Sequence, residues 1–208
     1  GSERKGHTLS EKTLEEMFER EISHCSGKFI MTTMGSNISR FRQAIDAAIR
    51  HGRRVAILGR SIQRNLSVAQ RLDYLKIPKG VLVDPKQIRR LPPQNLCLLV
   101  AGSQGQAGSA MERLSLGEHQ DAVIKPGDKV VFSSDYIPGT ESSTQSLIDT
   151  LSKLGATVIY TNITDNLHVS GHGSQQDLLM MMALTRPKYL VPIGGTYRHM
   201  VQYSRLAQ

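Results

Sequence analysis

Toward the carboxyl end of the chain, Leu167-His168-Val169-Ser170-Gly171-His172-Gly173-Ser174 leads through Gln175-Gln176-Asp177 into an apolar stretch ending near Leu184. Two histidines four apart, set among serines and glycines, fit three chemistries. Zinc is one, because imidazole is a common ligand and i, i+4 spacing puts two rings on one helical face. Here the pair flanks Ser-Gly, no Glu stands between the rings and no third ligand motif is near, so these residue types argue against an isolated metal site. A structural pair at the turn that starts a helix is the second. The third is a phosphate contact: hydroxyl and backbone N–H groups just before a helix start favour an anion, and one histidine near neutral pKa can pass a proton. The residue types match phosphate best, with structural pairing still open.

The same kind of residue follows each strand that the hydrophobic pattern predicts: Gly35-Ser36-Asn37, Gly59-Arg60-Ser61, Gly102-Ser103-Gln104-Gly105, Ser133-Ser134-Asp135, Thr161-Asn162 and Gly194-Gly195-Thr196. Glycine permits close backbone approach, and hydroxyls and amides supply hydrogen bonds. Several of these loops enter helices, whose free N–H groups attract anions. Plain turn chemistry selects the same residues. Several such loops on one edge, in a chain of formal charge +8, favour a phosphate-bearing partner, with nucleic acid the commonest.

Positioning such loops requires alternating strands and helices. Strands are predicted at 28–33, 53–59, 80–84, 95–102, 128–134 and 156–162, and a last strand with its turn at 188–195. Helices are predicted to about residue 24, then at 38–52, 62–75, near 85–90, near 109–115, 142–154 and 174–185. Thr8-Leu9-Ser10-Glu11 reads as a capping box for the first helix. Gly52 closes the second, whose Ile38, Phe41, Ala44, Ile45, Ala48 and Ile49 share one face. Several strands are apolar throughout, so the expected fold class is α/β, a mostly parallel open sheet with helices on both faces, Rossmann-like. Met180-Met181-Met182 suits a helix's core face better than an adaptable binding surface.

The 208 residues are enough for one packed domain. No apolar run is long enough for a membrane helix. Cys25 and Cys97 lack metal-ligand spacing and read as reduced core residues of a cytoplasmic protein. No signal-peptide pattern is read in these residues. Gly1-Ser2 reads as a cloning scar, which leaves 3–208 as a single domain cut from a longer protein. No Gly-x-Gly-x-x-Gly fingerprint or P-loop follows a predicted strand. That weakens the alternative of a stand-alone phosphate- or nucleotide-binding module.

Residues 3–13 (ERKGHTLSEKT), 36–61 (SNISRFRQAIDAAIRHGRRVAILGRS), 100–106 (VAGSQGQ), 137–141 (IPGTE), 167–174 (LHVSGHGS) and 192–200 (PIGGTYRHM) resemble, in order, the β-CASP domain of ribonuclease J. That family comprises metallo-β-lactamase-fold RNA-processing enzymes. The resemblance implies an insert excised from its metallo-β-lactamase domain, where two zinc (or manganese) ions would lie. This fragment would hold no cofactor and be inactive alone. It implies single-stranded RNA as partner, a monomeric fragment and a parent able to dimerise. It places His172 near the scissile phosphate, able to hydrogen-bond it or protonate the leaving oxygen while a zinc-bound hydroxide attacks. His168, Ser170 and Gly171 match positions that grip RNA phosphates. Ser103 and Gln104 match loops lining the RNA channel, as Ser36 and Asn37 do more loosely. One departure stands out. The family's Pro-(Val/Ile)-His-Gly-Glu-Tyr-Arg-His is here Pro192-Ile193-Gly194-Gly195-Thr196-Tyr197-Arg198-His199. Gly194 replaces a histidine zinc ligand, and Thr196 an acidic residue. The parent then binds its second metal differently or more weakly, or it is a degenerate paralogue whose domain serves as an RNA-binding scaffold.

Overall fold

The structure is a computed structural model that describes residues 1–134, 137–160 and 171–208. The chain divides into two compact units, Lys12–His168 and Gly1–Glu11 with Val169–Gln208. The expectation of one domain over 3–208 stands beside this division.

In the larger unit the order is α1 (Thr13–Ser23), β1 (Phe29–Thr32), α2 (Ile38–Arg50), β2 (Arg54–Leu58), α3 (Arg60–Arg71), a 3-10 helix (Pro85–Arg90), β3 (Leu96–Val100), α4 (Ala110–Ser115), β4 (Lys129–Phe132), α5 (Glu141–Lys153) and β5 (Thr157–Ile159). The five described strands pair in parallel in the order β2-β3-β1-β4-β5. Ile30 sits opposite Leu98 on one side and Val130 on the other. β1, β3 and β4 are buried at every position, which is why they read as continuous apolar runs rather than alternating ones. The α/β class expected from the sequence is the class observed.

The pleat sends alternate residues to opposite faces. Ile30, Ala56, Leu98, Val130 and Val158 form one core with Met111 and Leu114 of α4 and Leu147, Ile148 and Leu151 of α5. Phe29 points the other way, edge-on to Phe18 of α1. α1 packs on α2, and α3 lies beside α2 on β2. Cys97 of β3 is wholly buried, and that burial pushes its thiol up to about 12.

At the amino ends of the strands, buried charges are paired. Lys28 meets Asp128 at 2.7 Å, and Asp128 also accepts from the backbone N–H of Lys28 and of Lys125. Lys129 Nζ donates to the Glu21 carboxylate at 3.0 Å. Arg53 donates to the carbonyls of Gly27, Leu96, Ile22 and Cys25. A buried cation so surrounded has its donors satisfied, which an unpaired one would not.

The smaller unit carries α6 (Gln175–Thr185) and α7 (Tyr197–Leu206). Four local expectations are corrected. The predicted strand at 80–84 is a single bridge, Val55 to Leu82, because Asp84 turns at once into the 3-10 helix by accepting from Lys86 N–H. The predicted strand at 188–195 is absent among the described residues; Pro192 and the Gly194-Gly195 pair interrupt it and no neighbouring strand is hydrogen-bonded to it. α1 starts at Thr13, and Thr8 is engaged elsewhere, as described below. α6 is apolar nearly all round and buries no residue, so Met180 and Met181 are more than half exposed rather than core. β5 ends at Ile159, and residues 161 and 162 of that predicted strand lie outside the described ones. No described helix is long and apolar enough to cross a membrane.

Candidate functional site at the carboxyl edge of the sheet

The strand order sets the site. From β1 the chain passes to β2, two places to one side; from β3 it passes over β1 to β4, on the other side. Right-handed crossovers put α2 and α4 on opposite faces. The loops after the neighbouring strands β1 and β3 therefore diverge, and a crevice opens between them, where open α/β sheets accept ligands. Here it is a cavity of about 230 Å³ lined by Thr33, Met34 and Gly35 after β1, Ser61 on α3, Ala101 to Gln104 after β3, and Gln106, Ser109 and Ile137. Among the described residues no charged side chain lines it.

The rim is fixed from below. Thr32 Oγ1 donates to Val100 O and Thr33 Oγ1 to Ser133 O, both at 2.8 Å. Arg40 is fully buried, and its guanidinium donates to both the carbonyl and the hydroxyl of Ser133. Gln104, also buried, ties the β3 loop to the β4 loop. Its Oε1 accepts from Ile137 N–H at 2.9 Å and Thr140 Oγ1 at 2.8 Å, and its Nε2 lies 3.4 Å from Ser134 Oγ. Gly102 makes the close approach possible. Its φ of +114° suits glycine, and a Cβ there would meet the Ser109 side chain.

In the smaller unit, Thr8 and Asp177 clasp the turn that carries His172. Thr8 Oγ1 donates to His172 O at 2.9 Å and accepts from Ser174 N–H at 2.9 Å. Asp177 accepts from Thr8 N–H, Ser174 N–H and His7 Nδ1. These bonds, the one from Thr8 N–H foremost, hold its carboxyl well below the usual carboxylate range. Asp177 and Ser174 form the capping box that starts α6. Thr8, which reads as part of a first-helix cap, thus serves the His172 turn instead.

The crevice brings Ser103 and Gln104 together, with the Gln104 amide held inside the protein. Ser36 and Asn37 do not line it: Asn37 caps α2 by accepting from Arg40 N–H at 3.1 Å, and Ser36 faces a separate groove between α2 and α3. Gly171 and His172 are exposed on the smaller unit. His168 and Ser170 lie outside the described residues. Gly194 is exposed and Thr196 caps α7, its N–H and hydroxyl on His199 Nδ1. No group of three His, Cys, Asp or Glu able to hold a metal exists among the described residues, and a Cβ at Gly194 would meet nothing within 4 Å. These residues of themselves do not make a zinc site. Sequence reasoning missed Arg40 and Thr33. Arg40 lies four before Ala44, on the buried stripe of α2, and a charge on such a stripe was the available signal.

The larger unit is thus an open parallel α/β fold with a candidate ligand edge at the strand carboxyl ends. Residues 26–151 match the family model described as the ribonuclease J β-CASP domain, and residues 141–208 match that of a Zn-dependent metallo-hydrolase RNA specificity domain. Among curated relatives, ribonuclease J of Synechocystis is 40% identical over 98% of this chain and 32% of that protein. Ribonuclease J 1 of Streptococcus pyogenes is 36% identical over 96% of this chain and 36% of its own length. Ribonuclease J2 of Bacillus subtilis is 34% identical over 100% of this chain and 37% of its own. The chain belongs to the ribonuclease J family, and it spans about a third of the length of these relatives.

Proposed function

We propose that this chain is the RNA-holding part of a ribonuclease J-like exo- or endoribonuclease of the cytoplasm, inactive without the rest of a longer protein that would hold the zinc ions. One observation carries this reading: a crevice lined by hydroxyls, amides and glycine backbone at the β1/β3 switch point, in a chain of this family. Such groups hold a phosphodiester by its oxygens and read no base, so binding is independent of sequence. His172 takes the reacting phosphate in the proposed reading, donating a hydrogen bond to it or a proton to the leaving oxygen. His168, Ser170 and Gly171 steady the neighbouring phosphates. Gln104 holds the crevice's shape, and Ser103 presents its hydroxyl at the lining.

Fluorescence anisotropy with a 5′-monophosphorylated single-stranded RNA tests the binding half. Affinity about micromolar is expected, falling with salt as counterions are released; affinity no better than that of a neutral control protein refutes it. In the longer protein, His172→Ala is expected to abolish RNA cleavage at unchanged metal content.

The exposed Gly194, where the family resemblance implies a histidine ligand, favours a second reading: an RNA-binding scaffold from a catalytically degenerate paralogue. A metal-poor longer protein that binds RNA without cleaving it would select this reading.

A further inference from the structure

Beside the crevice, and sharing Ser61 and Ser109 with it, lies a larger groove of about 670 Å³. Its charged lining is of one sign: Arg60 and Arg64 from the first turns of α3, and Arg113 from α4. All three are exposed. Among the described residues none of them is paired with a carboxylate, and no acidic residue lines the groove. Glu112, the acidic residue next to Arg113, is engaged with Gly108 N–H. The first turn of α3 carries no acidic residue, and its cap, Gly59, has no side chain to accept from it. The sequence has acidic residues enough to neutralise these arginines, as it does at the other end of the sheet, yet here it does not.

We propose that single-stranded RNA held at the crevice runs on across this groove, with Arg60, Arg64 and Arg113 taking successive backbone phosphates. The inference rests on the RNA-holding reading and extends it to a second, charged stretch of interface. Two features favour RNA over an acidic peptide. The groove shares Ser61 and Ser109 with the crevice, so one strand can occupy both. Among the described residues its only apolar side chain is Ala110, which gives a peptide no anchor of the kind that dominates protein interfaces. Guanidinium is suited to phosphate by its planar fork of donors. The division also has a physical sense. Hydroxyls and amides in the crevice hold a phosphate without trapping it, while exposed arginines supply affinity through counterion release.

The test measures binding of the 208-residue chain to a trinucleotide and to a dodecamer of single-stranded RNA, both 5′-monophosphorylated, over a salt series. The variants are the triple Arg60→Ala, Arg64→Ala, Arg113→Ala and the matching triple lysine. Expected for the alanine triple is a loss of about tenfold or more on the dodecamer and a log–log salt slope shallower by about 2, from three phosphates at about 0.7 each. Trinucleotide binding should change less than about twofold. The lysine triple should keep most of the slope, and unchanged thermal melts for both variants show that the fold is intact. Dodecamer binding unaltered in the alanine triple, with wild type binding RNA normally, overturns this inference and leaves the RNA-holding reading standing. Wild type that binds neither oligonucleotide overturns both. Arginine-dependent capture of a polyglutamate peptide as tight as that of the dodecamer overturns the assignment to RNA.

Discussion

The two ends of the parallel sheet treat charge in opposite ways. At the amino ends, Lys28, Lys129 and Arg53 are buried, and each is met by a carboxylate or a set of carbonyls. At the carboxyl ends the buried polar groups are threonine, serine and glutamine, with Arg40 held beneath them. Among the described residues the crevice above them has no charged lining, and the adjoining arginines are left to solvent. One edge uses charge to close the domain. The other buries Arg40 beneath neutral groups and leaves its remaining arginines outside, as the proposed polyanion-binding surface requires.

Breaking the amino edge should cost most. Asp128→Ala leaves Lys28 buried without its partner and strips acceptors from two backbone N–H groups, at about 3–5 kcal/mol by chemical denaturation. RNA affinity measured where the variant is still folded should not move. An affinity loss as large as that of a crevice variant would refute the separation of the two edges. Arg40→Met should cost about 2 kcal/mol, from the charged hydrogen bonds to Ser133, and unlike Asp128→Ala it should weaken RNA binding as well, by letting the β4 end shift. Gln104→Ala should cost about 1 kcal/mol, and hydrogen exchange of the Ile137 amide should accelerate because its acceptor is gone.

The smallest effect separates the edges by acid. Burial opposes ionisation of Glu21, but the hydrogen bond from Lys129, followed by that from Arg20, holds its carboxyl below the ordinary value of 4.5. A lowered folded-state value stabilises the protein above the ordinary pKa and is lost as pH falls through the folded one. The thermal midpoint should therefore slip on acidification below about 4.5, and Glu21→Gln should flatten that part of the profile. Arg60→Ala should leave it intact.

The continuous apolar runs of β1, β3 and β4 and the one-sided stripes of α2 and α5 carry the fold openly, because burial writes itself into residue type. The β-CASP resemblance and the place of Ser103 on the crevice lining were legible for the same reason: backbone approach and hydrogen bonding demand particular small residues. Three things were not legible. Thr8-Leu9-Ser10-Glu11 has the spacing of a local cap, yet the Thr8 hydroxyl is engaged 164 residues away at His172, a contact no local pattern encodes. Residues 188–195 have strand-like composition, but a strand exists only through a partner, and pairing is non-local. Asn37 and Gln104 read as ligand contacts because their side chains can bond outward or inward with equal chemistry; here the one caps a helix and the other fastens two loops.

Cys97 gives the molecule an internal clock. Only the thiolate attacks an alkylating reagent, and this thiol is wholly buried on β3 between β1 and β2 with its ionisation pushed up to about 12. Labelling must wait until the middle of the sheet comes apart, so its rate counts whole-unit openings rather than loop movements. Followed with and without RNA, that rate reports in time units how strongly an occupant at the carboxyl edge holds the strands together.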